Sequence, residues 1–194
     1  MELHLAHLEK VLQILSDNTL FVKKSKCAFG QDSIEYLGHI VTAQGVKPDP
    51  NKVEAVRNWK IPTSLKQLRA FLGLSGNYRR FIRSYASIAH PLTELLKKDG
   101  FQWSKAATAA FLKLKDALVS TPILALPDFS KQFILETDAC STGMGAVLLQ
   151  DNRPIAFFSK KLPHHLLKAS AYVRELHALV TTVRKWRQYL LGSH

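Results

Sequence analysis

Residues 132–160 read QFILETDACSTGMGAVLLQDNRPIAFFSK, and this stretch decides the kind of fold. Three apolar runs, Gln132–Thr137, Gly145–Gln150 and Pro154–Lys160, are separated by a glycine-rich segment and by Asp151-Asn152. Short β-branched and aromatic runs broken by Gly and Asx residues predict neighbouring strands joined by tight turns. Ser170–Leu191 then predicts one long helix, with Leu176, Leu179, Val180, Val183 and Trp186 as its apolar stripe.

Upstream the texture is different. Ser104–Ser120 predicts a helix faced by Phe111, Leu114 and Leu118, and Pro91–Lys98 a shorter one followed by an Asp99-Gly100 turn. Ser64-Leu-Lys-Gln67 has the form of a capping box, opening a helix with Leu65, Leu68, Phe71 and Leu72 on one face. Gly73 and Gly76 are expected to let the chain bend after it, and Asn51–Trp59 predicts another short helix. Ser33–Val41, with Cys27–Phe29, predicts a hairpin. Thr19–Val22 predicts a strand, and Lys47-Pro-Asp-Pro50 a turn cluster at a boundary. Leu3, Leu5, Leu8, Val11, Leu12 and Leu15 fall on one face of an opening helix. The expected class is therefore α+β in three pieces: a hairpin, a helical unit, and a small sheet with one long helix.

Composition narrows the function. The 194 residues carry 27 Lys and Arg against 15 Asp and Glu, a net charge of +12. Residues 1–130 hold 18 bases and 11 acids and residues 131–194 hold 9 and 4, so the excess runs the length of the chain. A polyanion lying along the whole surface is the natural partner. With 46% apolar residues a packed core is expected, and no apolar run approaches the ~18–20 residues of a membrane span. Cys27 and Cys140 lack partner spacing, which argues against a disulfide framework or a cysteine zinc site and for a reducing, intracellular compartment, cytoplasmic or nuclear. Trp59, Trp103 and Trp186 are expected to anchor cores, and His164-His165 to be exposed.

Asp138 stands near the end of the first run, before Gly143 and Gly145, and Glu175 in the first turns of the closing helix. A strand carboxylate and a helix carboxylate that converge are like charges, normally held together by divalent cations. Mg²⁺ suits them because it takes carboxylate oxygens and keeps several waters.

Several blocks occur in a telling order: KCAFGQDSIEYLGHIV, GVKPDP, LKQLRAFLGLSGNYRRFI, PLTELLKKDGFQWSKAATAAFLKLKDAL, PILALPDF, ILETDACSTGMGAVLLQ, PIAFFSKKL, and AYVRELHALV before WRQYLLG. Together they resemble the pol polyprotein of gypsy-type LTR retrotransposons, across the reverse transcriptase thumb region and the N-terminal part of the ribonuclease H-like domain. The resemblance implies a palm remnant with a primer-grip-like hairpin over residues 1–48 and a thumb-like helical unit over 49–100. Residues 101–194 would then be a connecting helix and an incomplete ribonuclease H-like sheet of three strands. It implies that Tyr36, Gly38 and His39 lie where a primer end is held, and that Arg69, Asn77, Arg79, Arg80 and Arg83 meet phosphates of a template–primer or RNA–DNA hybrid duplex. Phosphate contacts position a duplex without reading its sequence. Asp138 and Glu175 match two ribonuclease H carboxylates and, by the same resemblance, ligands of Mg²⁺. Tyr78 and Phe81 are read as core.

The departures are as informative. The chain has no Asp-Asp dipeptide, which the polymerase site of this family requires, and residues 176–194 contain no Asp or Glu. The expectation is a fragment that begins after the polymerase strand and stops before the next acidic strand. It would bind nucleic acid and the rest of the polyprotein with little or no catalysis of its own. The first strand would expose a sheet edge, where self-association is expected. The alternative is a host-retained nucleic-acid- or protein-binding module without enzymatic role, which a stop codon after His194 would favour.

Overall fold

A computed structural model describes residues 2–97, 101–141 and 143–191, and the expected Asp99-Gly100 turn lies outside them. The chain divides into two compact units, Met1–Ile34 and Glu35–His194.

In the first unit α1 spans Glu2–Asp17 and buries none of its residues. The strand expected at Thr19–Val22 does not form. Thr19 takes φ 57°, and the Leu20 N–H returns to the Leu15 carbonyl at 2.9 Å. This left-handed closure satisfies a helix-end carbonyl and turns the chain away from extended geometry. Cys27–Phe29 is likewise irregular, so the hairpin uses only the later half of the expected segment.

Strands β1 (Ser33–Tyr36), β2 (His39–Thr42) and β3 (Gly45–Pro48) follow in spatial order β1-β2-β3. β3 occupies part of the expected turn cluster, pairing antiparallel with β2 from His39↔Pro48 to Thr42↔Gly45. Val46 exchanges backbone hydrogen bonds with Leu124 at 2.8 and 2.9 Å. That approach requires Gly45: at φ 137°, a Cβ there would lie 2.1 Å from the Leu124 carbonyl oxygen.

Asp49 then caps α2 (Pro50–Arg57), its carboxylate accepting from the Asn51 N–H at 2.8 Å. Ser64 caps α3 (Leu65–Asn77), accepting from the Gln67 N–H, but Gln67 reaches back to Thr63 N–H at 2.8 Å, one residue earlier than the capping box requires. α3 continues through Gly73 and Gly76 without the expected bend. Burial of Leu68, Phe71 and Ser75 on one side outweighs the ~1 kcal/mol that each helical glycine costs. The chain turns instead at Tyr78, into a 3-10 turn at Arg79–Phe81. α4 (Tyr85–Glu94) begins six residues before the expected start, with Pro91 inside it, because Ala89 and Leu92 are buried. α5 (Lys105–Val119) fills the expected helix, with Ser104 Oγ accepting from the Ala107 N–H at its start. Phe71, Phe81, Leu92, Phe111 and Leu114 share one core, against which Trp59 and Trp103 pack.

The second sheet has order β4-β5-β6, formed by β4 (Ile134–Ala139), β5 (Gly143–Gln150) and β6 (Arg153–Lys161), all antiparallel. Its register sets two faces, since directly opposed residues point the same way. Leu135, Leu148 and Ala156 lie opposite one another and cluster with buried Trp186. On the other face Glu136 aligns with Val147 and Phe157, and Asp138 with Gly145 and Ser159. Phe157 packs on the helical core, and Ser159 Oγ accepts from the Ala86 N–H at 2.8 Å.

The closing helix is α6 (Ala171–Lys185), interrupted at Trp186 before the short α7 (Arg187–Leu190). Of the five expected stripe residues only Trp186 is buried. Ala178 and Thr182 are buried, while Leu176, Leu179, Val180 and Val183 are exposed. Small side chains let the helix approach the sheet closely, and the bulky flank is left outward. No helix among the described residues is long and apolar enough to cross a membrane.

Candidate nucleic-acid interface

The turn between β1 and β2 is Leu37-Gly38, with φ of 49° and 78°. Two successive positive φ values suit a two-residue hairpin, whose twist matches that of the strands. Tyr36 and Leu37 project from it, 64% and 75% exposed. The turn is held from behind. The Gly38 carbonyl accepts from the Tyr78 hydroxyl at 2.9 Å and from the Asp49 N–H at 3.1 Å. The His39 ring meets Tyr78 edge-on and Phe81 at a tilt, both at 5.4 Å between centroids. Burial, and then the Arg80 charge, hold His39 below its ordinary pKa. Burial first, then the Asp49 and Glu35 carboxylates, push the Tyr78 phenol up, although its contact with Asn77 works the other way. The structure therefore joins Gly38 and His39 to the start of the Arg79–Phe81 turn, so that Tyr36, Gly38 and His39 adjoin two of the five thumb positions read from sequence.

Arg69, Asn77, Arg79 and Arg83 are exposed, as phosphate contacts need to be. Arg80 is half-buried: its Nη2 donates to the Ile155 carbonyl at 3.4 Å, and its Cζ lies 5.9 Å from the Phe81 ring centre. Tyr78 and Phe81 are core, 1% exposed each, as expected. The hydroxyl of Tyr78 was the part that sequence could not place, because its acceptor lies 40 residues away.

Asp138 is exposed and lines a cavity of about 150 Å³ together with Glu136, Arg83 and Ser84. Glu136 is a carboxylate the sequence reading passed over. Its signal was the two-residue spacing from Asp138, which places both on one face of a strand. Glu175 is also exposed, on the first turns of α6, but it does not line that cavity. α6 packs on the opposite face of the sheet, where Ala139, Met144 and Ala178 meet. No group of three or more His, Cys, Asp or Glu able to hold a metal ion occurs among the described residues.

The chain is 46% identical over 195 residues to the retrovirus-related Pol polyprotein from transposon 297 of Drosophila melanogaster, covering 97% of this chain and 18% of that protein. It is 38% identical over 203 residues to the Pol polyprotein from transposon gypsy of the same fly, covering 98% and 20%. Over nearly its whole length the chain is similar to the Pol polyproteins of gypsy-type retrotransposons. Residues 103–194 match the model of an RNase H-like domain found in reverse transcriptase. Among solved structures, the foamy viral protease–reverse transcriptase in complex with RNA/DNA hybrid superposes with a TM-score of 0.87 at 23% identity, over 99% of this chain and 27% of that one. This shows that the two share a fold. The likeness to Pol polyproteins is thus carried by sequence, and the chain spans about a fifth of the length of these two curated relatives.

Proposed function

We propose that this chain is the part of a Pol reverse transcriptase that grips template–primer or RNA–DNA hybrid, and that it performs no catalysis alone. The observation that carries the reading is the Leu37-Gly38 turn, fixed through Tyr78 to a helix end that presents Arg79 and Arg80. A rigid turn with exposed Tyr36 and Leu37 suits a strand end, and the neighbouring guanidinium groups suit phosphates. The foamy viral enzyme's complex with RNA/DNA hybrid supports the choice of ligand.

Asp138 and Glu175 are the residues that would hold Mg²⁺ in this reading. The arrangement does not fit a complete two-ion site. Glu175 does not line the cavity that Asp138 shares with Glu136, and no group of three or more His, Cys, Asp or Glu that could hold a metal ion occurs among the described residues. Productive metal sites need ligands fixed to ~0.5 Å. The test is incubation of the purified chain with Mg²⁺ and a labelled RNA–DNA hybrid. No cleavage is expected, and steady cleavage abolished by Asp138→Ala would overturn the reading.

The partners in this reading are the rest of the polyprotein and a second copy of the chain. β4 has no neighbour on its outer side among the described residues, and the flank of α6 beside it exposes Leu176, Leu179, Val180 and Val183. An open strand edge next to an apolar helix face favours association.

A further inference from the structure

We infer that Lys185 joins Arg79 and Arg80 in an anion pocket that takes a phosphodiester group of a nucleic-acid backbone, between the Arg79–Phe81 turn and the sheet and apart from Asp138. The inference rests on the reading of the chain as a nucleic-acid binder and adds a specific contact to it.

The three cations line one cavity of about 190 Å³, between the Arg79–Phe81 turn, β6 and the junction of α6 with α7. That volume holds a phosphate group with ordered water beside it. No carboxylate lines the cavity, and none of the three cations makes an ion pair among the described residues. Like charges gathered without a counter-charge repel, and an anion between them reverses the sign of the interaction. The Arg80 guanidinium is held in place by the Ile155 carbonyl and the Phe81 ring, while its buried Nε has no hydrogen-bond partner among the described residues. Such a donor is costly to leave unmade.

Two neutral polar side chains join the three cations, beside the aromatic residues Phe157, Phe158, Trp186 and Tyr189. Ser159 Oγ accepts from the Ala86 N–H, which leaves its own O–H to donate. Gln188 is exposed at the rim, with an amide able to donate. Every polar side chain named here can donate to an anionic oxygen. The site spans the thumb-like turn and the ribonuclease H-like sheet, so a phosphate bound there would tie a duplex to both.

Lys185 also stands in the last turn of α6, where a cation offsets the helix-end carbonyls. That role alone would leave nucleic-acid binding unchanged, so the two are separable. The experiment titrates the full chain with a short labelled RNA–DNA hybrid over a range of NaCl, comparing wild type with Arg79→Gln and Lys185→Gln. Lys113→Gln, exposed on α5 outside the cavity, is the control. Removing one cation from a phosphate should reduce the slope of log K against log salt by about 0.9. Both cavity variants should show that reduction and Lys113→Gln should not.

An unchanged slope in the cavity variants, with wild-type binding intact, overturns the pocket alone. Failure of the wild type to bind hybrid overturns the pocket and the proposed function together. A parallel titration with inorganic phosphate, followed on the Gln188 side-chain amide by NMR, separates the sources. Phosphate binding with unchanged hybrid slopes would reassign the pocket to a free anion and overturn the backbone contact.

Discussion

Tyr78 shows how one atom can link two parts of a site. Its ring belongs to the core, a role already legible in the apolar spacing around it, but its hydroxyl clamps the Gly38 carbonyl. Tyr78→Phe should cost about 0.5–1.5 kcal/mol by urea unfolding, the net worth of one buried hydrogen bond. Amide exchange at Leu37 and Gly38 should quicken in that variant while the α5 core stays protected. His39 adds a pH dependence. Its pKa is lowered from 6.5 in the folded state by burial and then by Arg80, so the unfolded chain binds the proton more tightly. Stability should therefore rise with pH through the window below 6.5 and level off above it. Thermal melts across that range should show the dependence in wild type and a weaker one in His39→Gln.

Among the elements, α6 separates what periodicity can and cannot tell. The 3.6-residue spacing correctly announced a helix from Ser170, and Ser170 Oγ caps it by accepting from the Val173 N–H. The choice of buried face went to Ala178 and Thr182, because contact with a sheet rewards close approach as well as apolar area. The exposed flank is consequently a testable association surface. Leu179→Gln with Val183→Thr should leave the melting temperature nearly unchanged, as surface substitutions do. Sedimentation at rising concentration should show wild type associating and the double variant less so; equal behaviour would remove α6 from the interface. α3 makes a related point, since Gly73 and Gly76 read as a bend and proved helical once Leu68 and Phe71 were buried.

Over the whole chain the excess of cations acts together. Affinity for any duplex should fall steeply with salt, and chains of unrelated sequence should compete almost equally, because phosphates are the common feature. Competition among hybrid, double-stranded DNA and single strands at two salt concentrations checks this, and strong sequence preference would contradict it.

Most helices, the Ser64 cap, the strands β4 to β6 and the basic character could be read from residue order, since each follows from local spacing or simple summation. The irregular Thr19–Val22 segment and β3 could not. The candidate carboxylates could be read, as residues. Their relation could not. Strand register puts Asp138 on the side that faces the helical core, and α6, which carries Glu175, packs by Ala178 on the other. The clamp from Tyr78 to Gly38 and the cavity shared by Arg79 and Lys185 likewise join residues distant along the chain. Such proximities are settled by how faces are buried against one another, and no local pattern encodes them.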